Sequence, residues 1–497
     1  MTRSHGFSIG GPRCRRIFGF GGAIGPCSIL WTVLATGLPA ACGQSATEVD
    51  AQTGQIIGPS TRPAGDRRQA PATADAEPLG ASVSTAVPAA VRPFELIVPG
   101  AHLFDDWGGM RTALDARGIT PTFSLVTDVA GNPTGGLRRG VTEASNLGLD
   151  VQFNLGKLAG LTGGSFLLSM SDRFGNSLSD DYVGNAFNVQ QDFGGETFRV
   201  IDAAYRQRLA GDHLEFRVGR VAAGDDFFVC SYDYLFMQNG VDGNPVGVFF
   251  NSPGMTAYPN ATWGGSVKMT PTPRGYVMAG LYNGDPTIRA NVHHGVDLSL
   301  NGPLFAIAEA GYQTNGLPGD RGLTGNYKVG LWYDDGRFDE FRPAGQSGAA
   351  KRGNTGFYAI ADQAVIPFGD PRGGRGLGVF GSVLVSPDES VSTLPYFFTA
   401  GVAARGLLAS RPDDAFGLAV VYGRFSEELR DAERAAPLSN VAVGPQGDET
   451  AIELTCRGYV GRGGVFLQPD LQYIVHPYGS GRISNAVVLG CQVGINF

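Results

Sequence analysis

From about residue 120 to the C-terminus, one pattern recurs in short segments. Every second residue is apolar and the ones between are small, polar or charged. In "NLGLDVQFNL" Leu147, Leu149, Val151, Phe153 and Leu155 alternate with Asn146, Gly148, Asp150, Gln152 and Asn154. "HLEFRVGR" sets Leu214, Phe216 and Val218 against Glu215 and Arg217, and "AIELTCRGYV" sets Ile452, Leu454 and Cys456 against Glu453 and Arg457. The last residues, "VVLGCQVGINF", run the same way to Phe497. A period of two is a strand with one apolar face. A chain built almost wholly of such segments folds as a sandwich, a propeller or a barrel.

Further strands are expected near 122–129, 164–171, 197–207, 262–270, 275–283, 304–313, 327–334, 355–364, 376–386, 395–405, 415–424 and 465–475. No blade-length repeat marks a propeller. The 75 glycines of 497 residues, together with dyad segments separated by turns, are the pattern of an outer-membrane barrel. Counting "GVDLSL" (295–300) as a strand gives an odd total, whereas a barrel with both ends on one side needs an even one. Alternating the connections between two rims from either end places "GVDLSL" inside the connection 284–303. The expected fold is therefore an all-β, antiparallel transmembrane barrel of sixteen strands. Its long connections lie outside, and short turns such as 156–163, 208–212 and 271–274 lie on the periplasmic side.

Before the barrel, Arg3, Arg13, Arg15 and Arg16 precede an apolar stretch and the small residues Ala40, Ala41 and Gly43. Residues 1–43 thus read as an export signal. An uncleaved anchor and lipidation at Cys42 are the alternatives, and Pro39 fits a lipobox poorly. Residues 44–98 are rich in Pro, Ala, Ser and Thr without apolar period and read as a disordered periplasmic tail. A short helix is expected over 105–117, at the start of a barrel domain spanning 99–497. The net charge of −8 disfavours a nucleic-acid partner. The six cysteines have no metal-ligand spacing, and neither metal nor cofactor is expected. The histidines sit in no nucleophile motif, so the chain is not expected to be an enzyme.

Several stretches carry a resemblance to a known family: "DDWGGMRTALDARGI" (105–119), "LEFRVGRVAAGDDFFV" (214–229), "GLYNGDP" (280–286), "AIAEAGYQT" (306–314), "YKVGLWYDDGRF" (327–338) and "FLQPDLQYIVHPYGSGRISNAVVLG" (466–490). In this order they resemble the carbohydrate-selective, OprB-type porins of Gram-negative outer membranes. The resemblance implies a sixteen-stranded barrel through which mono- or oligosaccharides diffuse passively. Outer-membrane lipid and the outer-membrane assembly machinery would be its other partners, and it would act as a monomer or homotrimer. The proline-rich tail lies outside the matching pattern. A general or anion-selective diffusion porin is the alternative.

An Arg or Lys on the lipid face near the bilayer midplane costs roughly 2–4 kcal/mol, so mid-strand charges are expected to face the lumen. That assigns Glu215, Arg217, Lys268, Glu309, Lys328, Glu453 and Arg457 to the pore lining. Glu309 stands apart because Phe305 and Ile307 share its parity. Trp332, on the polar parity of its strand, is a candidate platform for the apolar face of a sugar, and Trp263 reads as a residue of the interfacial aromatic girdle. The connection 221–261 is too aromatic to remain in solvent. It is expected to fold into the barrel as a constriction bearing Asp225, Asp226, Tyr232, Asp233 and Tyr234. Phe497 is expected to serve as the assembly signal.

Overall fold

The computed structural model describes residues 102–497 apart from 195, 286, 288–293, 295, 318–319, 321, 343–348, 370–373, 436–443 and 462–463. It also describes a two-residue pairing of Glu48–Val49 with Ile56–Ile57. The expected signal and tail over 1–98 otherwise lie outside the described residues.

Sixteen antiparallel strands close into one barrel. In chain order they are β1 (Ile119–Gly136), β2 (Val141–Asn154), β3 (Gly164–Gly175), β4 (Phe198–Leu209), β5 (Leu214–Val221), β6 (Thr262–Thr272), β7 (Gly275–Asn283) and β8 (Leu304–Thr314). The second half comprises β9 (Gly325–Asp339), β10 (Ala350–Pro367), β11 (Gly376–Val385), β12 (Tyr396–Arg405), β13 (Ala415–Arg424), β14 (Asp448–Val460), β15 (Val465–Val475) and β16 (Ser484–Asn496). Each strand pairs with its sequence neighbours, and β16 pairs with β1 through Asn496↔Ser124 and Gln492↔Asp128. Closure gives the terminal strand a partner on both sides, as a lipid environment requires of backbone groups.

The burial of side chains is inverted relative to a soluble protein. Val218, Val267 and Leu281 are 52%, 51% and 58% exposed on the outer wall, while Arg217, Glu453 and Gln492 lie almost fully buried inside. In β16 the half-exposed row Val487, Leu489, Cys491, Val493 and Ile495 alternates with the buried Gly490, Gln492, Gly494 and Asn496. Tyr333, Tyr396 and Phe398 are exposed towards the rim that carries the long connections, and Tyr312 and Tyr327 towards the other. These two belts are the usual aromatic flanks of a lipid-facing band.

The irregular stretch 296–300 lies in the connection between β7 and β8 and not in the wall, as the even count demands. Strands β1 and β10 each run 18 residues, several longer than their alternation suggested. Their extra length lies beyond the lipid band, where no apolar face is needed and the period fades. Residues 131–136 ("GNPTGG") lie beyond the strand expected near 122–129, yet they continue β1 past register shifts against β16.

Helix α1 (Met110–Arg117) packs beneath the closure. There Arg111 Nη1 donates to the Phe497 carbonyl at 3.2 Å, and the Phe497 ring sits 5.0 Å from Phe123 and 5.8 Å from Phe104.

Candidate functional site

The interior is partly filled by two connections. The segment 222–261 leaves β5, crosses to the far wall and returns to β6, burying Phe227, Phe228, Tyr232, Phe236, Met237 and Phe249 on the way. Phe228 packs on Tyr358 of β10 with ring centroids 4.1 Å apart, and Tyr232 stacks on Phe380 of β11 at 6.1 Å. The wall leaves room for these rings with glycine. A Cβ on Gly378 would fall 2.2 Å from Tyr232 Oη, and one on Gly417 would fall 2.7 Å from the Phe236 ring.

Charged and polar groups of the wall hold the segment by its backbone. The Glu453 carboxylate accepts the amides of Met237 (2.6 Å) and Gln238 (3.1 Å). Arg457 donates to the Tyr234 carbonyl at 3.0 Å and to Gln468, which in turn donates to the Leu235 carbonyl at 2.6 Å. Glu309 accepts the Phe228 amide at 3.2 Å and the hydroxyls of Tyr276 and Tyr358 at 2.6 and 2.8 Å. Lys328 Nζ donates to the Val229 carbonyl. Nearer the outer rim, Asp334 accepts Ser252 Oγ at 2.6 Å and the Gly254 amide at 2.9 Å. The cationic donors Arg457 and Lys328 make stronger bonds than neutral groups do.

The second inward connection, 176–194, is one that sequence reasoning missed. Glu449 of β14 accepts the amides of Ala186 and Phe187 at 2.7 and 2.9 Å, and Gln472 donates to the Val189 carbonyl at 2.9 Å. The two segments also bond each other, Asn239 N to Asn188 O and Gln191 N to Met237 O. The signal that could have found it is the same as for 222–261: the apolar residues Phe187, Val189 and Phe193 inside a stretch without strand period.

The wall formed by β4, β5 and β6 stays less covered and carries paired charges. Arg217 Nη2 lies 2.8 Å from Asp202 and 3.1 Å from Asp225, and its Nη1 lies 3.2 Å from Asp226. Asp226 also accepts Ser266 Oγ at 2.8 Å and lies 3.8 Å from Arg206, which reaches Glu215 at 3.6 Å. Burial pushes the Asp226 carboxyl up, but Arg217 and Arg206 outweigh burial and hold it below the usual carboxylate range. Lys268 sits 4.3 Å over the Tyr276 ring. Arg206, Glu215 and Asp225 keep 43%, 28% and 32% of their side chains exposed, so here the interior offers polar groups to solvent. Arg206 was not among the sequence-derived residues.

The sequence-derived set thus divides. Glu215, Arg217, Lys268, Asp225 and Asp226 gather on the β4–β6 wall, whereas Glu309, Lys328, Glu453 and Arg457 grip the crossing segment. Asp233 is buried in that segment, and burial pushes its carboxyl well above the ordinary range; Tyr234 is half-buried beside it. Trp332 points inward, as its parity requires, but it is fully buried against Phe305 at 6.4 Å. It has no face open to a permeant, so packing replaces the platform role expected of it. The same packing explains the mixed parity of β8: Phe305, Ile307 and Glu309 all point inward because the crossing segment and its neighbours cover them.

A closed barrel with an apolar outer wall and a polar, narrowed interior defines a membrane diffusion channel. The chain belongs to the carbohydrate-selective porin, OprB family, whose sequence pattern matches residues 138–497. It is 26% identical over 420 residues to Porin B of Pseudomonas aeruginosa, covering 79% of this chain and 90% of that protein. The high-pH structure of Pseudomonas putida OprB superposes with a TM-score of 0.73 at 25% identity, covering 79% of this chain and 97% of that one. Its low-pH counterpart gives 0.51 at 20% identity, with 80% and 98% covered. The protein is a carbohydrate-selective porin of the outer membrane.

Proposed function

We propose that the chain lets neutral sugars diffuse passively into the periplasm through a lumen narrowed by the segment 222–261. It acts as a channel and not as an enzyme. The observation that carries this reading is the division of labour inside the barrel. One set of wall charges is consumed in anchoring the crossing segment, while Arg206, Glu215, Asp225 and Lys268 remain along the less covered wall. Alternating donors and acceptors suit hydroxyl groups, and their pairing within about 4 Å keeps the net field low, so a neutral solute is not at a disadvantage against ions. Residues 1–43 direct export in a Gram-negative cell, 44–98 form a periplasmic spacer, and Phe497 serves assembly through its packing on Phe123. The barrel works alone or as a trimer of itself.

Liposome swelling separates this reading from a general or anion-selective pore. With the protein reconstituted, swelling in glucose should exceed that in an uncharged, non-sugar solute of equal size. Equal rates would favour the general pore.

A further inference from the structure

His294 and residues 296–300, between β7 and β8, are not accounted for by the pore. Strand β5 is only 8 residues long and pairs with β4 no further out than Ala203. The outer end of β4 therefore lacks that neighbour, and an unpaired edge at the membrane boundary needs cover. His294 supplies it: the Val200 amide donates to the His294 carbonyl at 3.1 Å, and the His294 ring nitrogen Nδ1 lies 3.0 Å from Thr197 Oγ1. Residues 297–299 lie across the outer ends of β6 and β7. Trp263 Nε1 donates to the Asp297 carbonyl at 2.8 Å, and Asn283 Nδ2 donates to the Ser299 carbonyl at 3.1 Å.

Exposure alternates along this stretch, with Asp297 and Ser299 half-buried and the residues on either side of each exposed. Val296, Leu298 and Leu300 are 66%, 74% and 69% exposed, more than the aliphatic residues of the lipid-facing wall itself. Three bare aliphatics in a row are not explained by exposure to water. The row continues the outward apolar surface of Leu281 and Leu304 on the adjoining strands.

We infer that 296–300 is a membrane-contacting strap, with Val296, Leu298 and Leu300 seated in the acyl chains just below the headgroups of the outer leaflet. Three features favour lipid over a second copy of the chain. The row is continuous with the lipid-facing wall. The Asp297 and Ser299 carbonyls take their donors from the barrel side, as contact with hydrocarbon requires of backbone groups. The exposed row is purely aliphatic, without the aromatic or Arg anchors that concentrate binding energy between proteins. Behind it, Trp263 sits at the rim with its indole N–H engaged, the usual station of an interfacial tryptophan.

The inference rests on the barrel being an outer-membrane porin, and the test keeps the two apart. The photo-crosslinking residue p-benzoylphenylalanine is introduced separately at Leu298, at Val296 and, as a strand control, at Leu281. The full chain is then irradiated in vesicles of outer-membrane lipid. Lipid adducts at 298 and 296 in yields comparable to 281 are the expected result. Adducts at 281 but not at 298 and 296 would overturn the strap alone, as would chain-to-chain adducts dominating at 298. Absence of lipid adducts at 281 would instead count against the barrel's placement in the membrane. Since each position is substituted singly, a variant that fails to fold leaves the other to decide.

Discussion

The grip of Glu453 on the crossing segment can be weighed from its geometry. The carboxylate is almost fully buried and accepts two amides, from Met237 at 2.6 Å and Gln238 at 3.1 Å. Losing the acceptor leaves two buried amides unsatisfied, at about 1–3 kcal/mol each. Glu453→Ala therefore forfeits up to about 6 kcal/mol in gross terms. Part is offset because a polar carboxyl group no longer has to be buried. Arg457 and Gln468 still hold Tyr234 and Leu235, so the segment opens locally and does not leave the barrel. A net local cost of about 3 kcal/mol corresponds to roughly a hundredfold rise in the open population, at about 1.4 kcal/mol per decade. Hydrogen exchange followed by mass spectrometry on peptides spanning 232–242 reads this population, and single-channel recordings read its consequence as added current flicker. Glu453→Gln, which keeps one accepting oxygen, should fall between the parent and the alanine variant. Exchange rates within about twofold of the parent in Glu453→Ala would refute the anchoring argument, because protection there would then come from elsewhere.

Other consequences concern the charged wall and the outer connections. Arg217→Met strips three carboxylates of their shared partner; the reversal potential across a salt gradient should move towards cation preference, and an unmoved potential would contradict the assignment of Asp225 and Asp226 to the permeation path. Gly378→Val drives a side chain into Tyr232, at an overpacking cost of about 1–3 kcal/mol. A lowered thermal midpoint with altered conductance is expected, and neither changing would mean that Tyr232 is not packed on β11. In the outer connection between β13 and β14, helix α2 (Glu427–Ala435) carries Glu433, whose carboxyl burial pushes up to about 7 while it accepts the Gln446 amide at 2.7 Å. Its folded-state value lies above its ordinary one, so the stabilisation is complete below about 4.5 and is lost as pH rises through about 7. Protection over 427–435, taken relative to the intrinsic exchange rate at each pH, should fall across that window in the parent and not in Glu433→Gln.

Much of the architecture is written in the period of two. Because lipid lies on one side and water or polar side chains on the other, a strand such as β16 must alternate to its end, and its register is legible residue by residue. Charge location followed from the same cost, which put Glu215, Arg217, Glu453 and Arg457 inward without any knowledge of the partners. What those charges do inside was not legible. Whether an inward carboxylate meets water or a backbone amide depends on where the connections fold, and a connection such as 176–194 has no period to announce its path. Trp332 shows the same limit, since parity gives its side of the wall but not what covers it. The outward turn of Val296, Leu298 and Leu300 was likewise hidden. "GVDLSL" alternates as a wall strand does, and only the even strand count removed it from the ladder.

Single-channel conductance of the intact protein beside a variant lacking 226–256, each titrated with glucose, bears on the whole reading at once. If 222–261 narrows a sugar-selective lumen, the parent current is small and is blocked by sugar, and the deletion variant conducts more and loses the block. Equal conductance with unchanged response to sugar in a correctly folded deletion variant would show that the pore is narrowed and selected elsewhere.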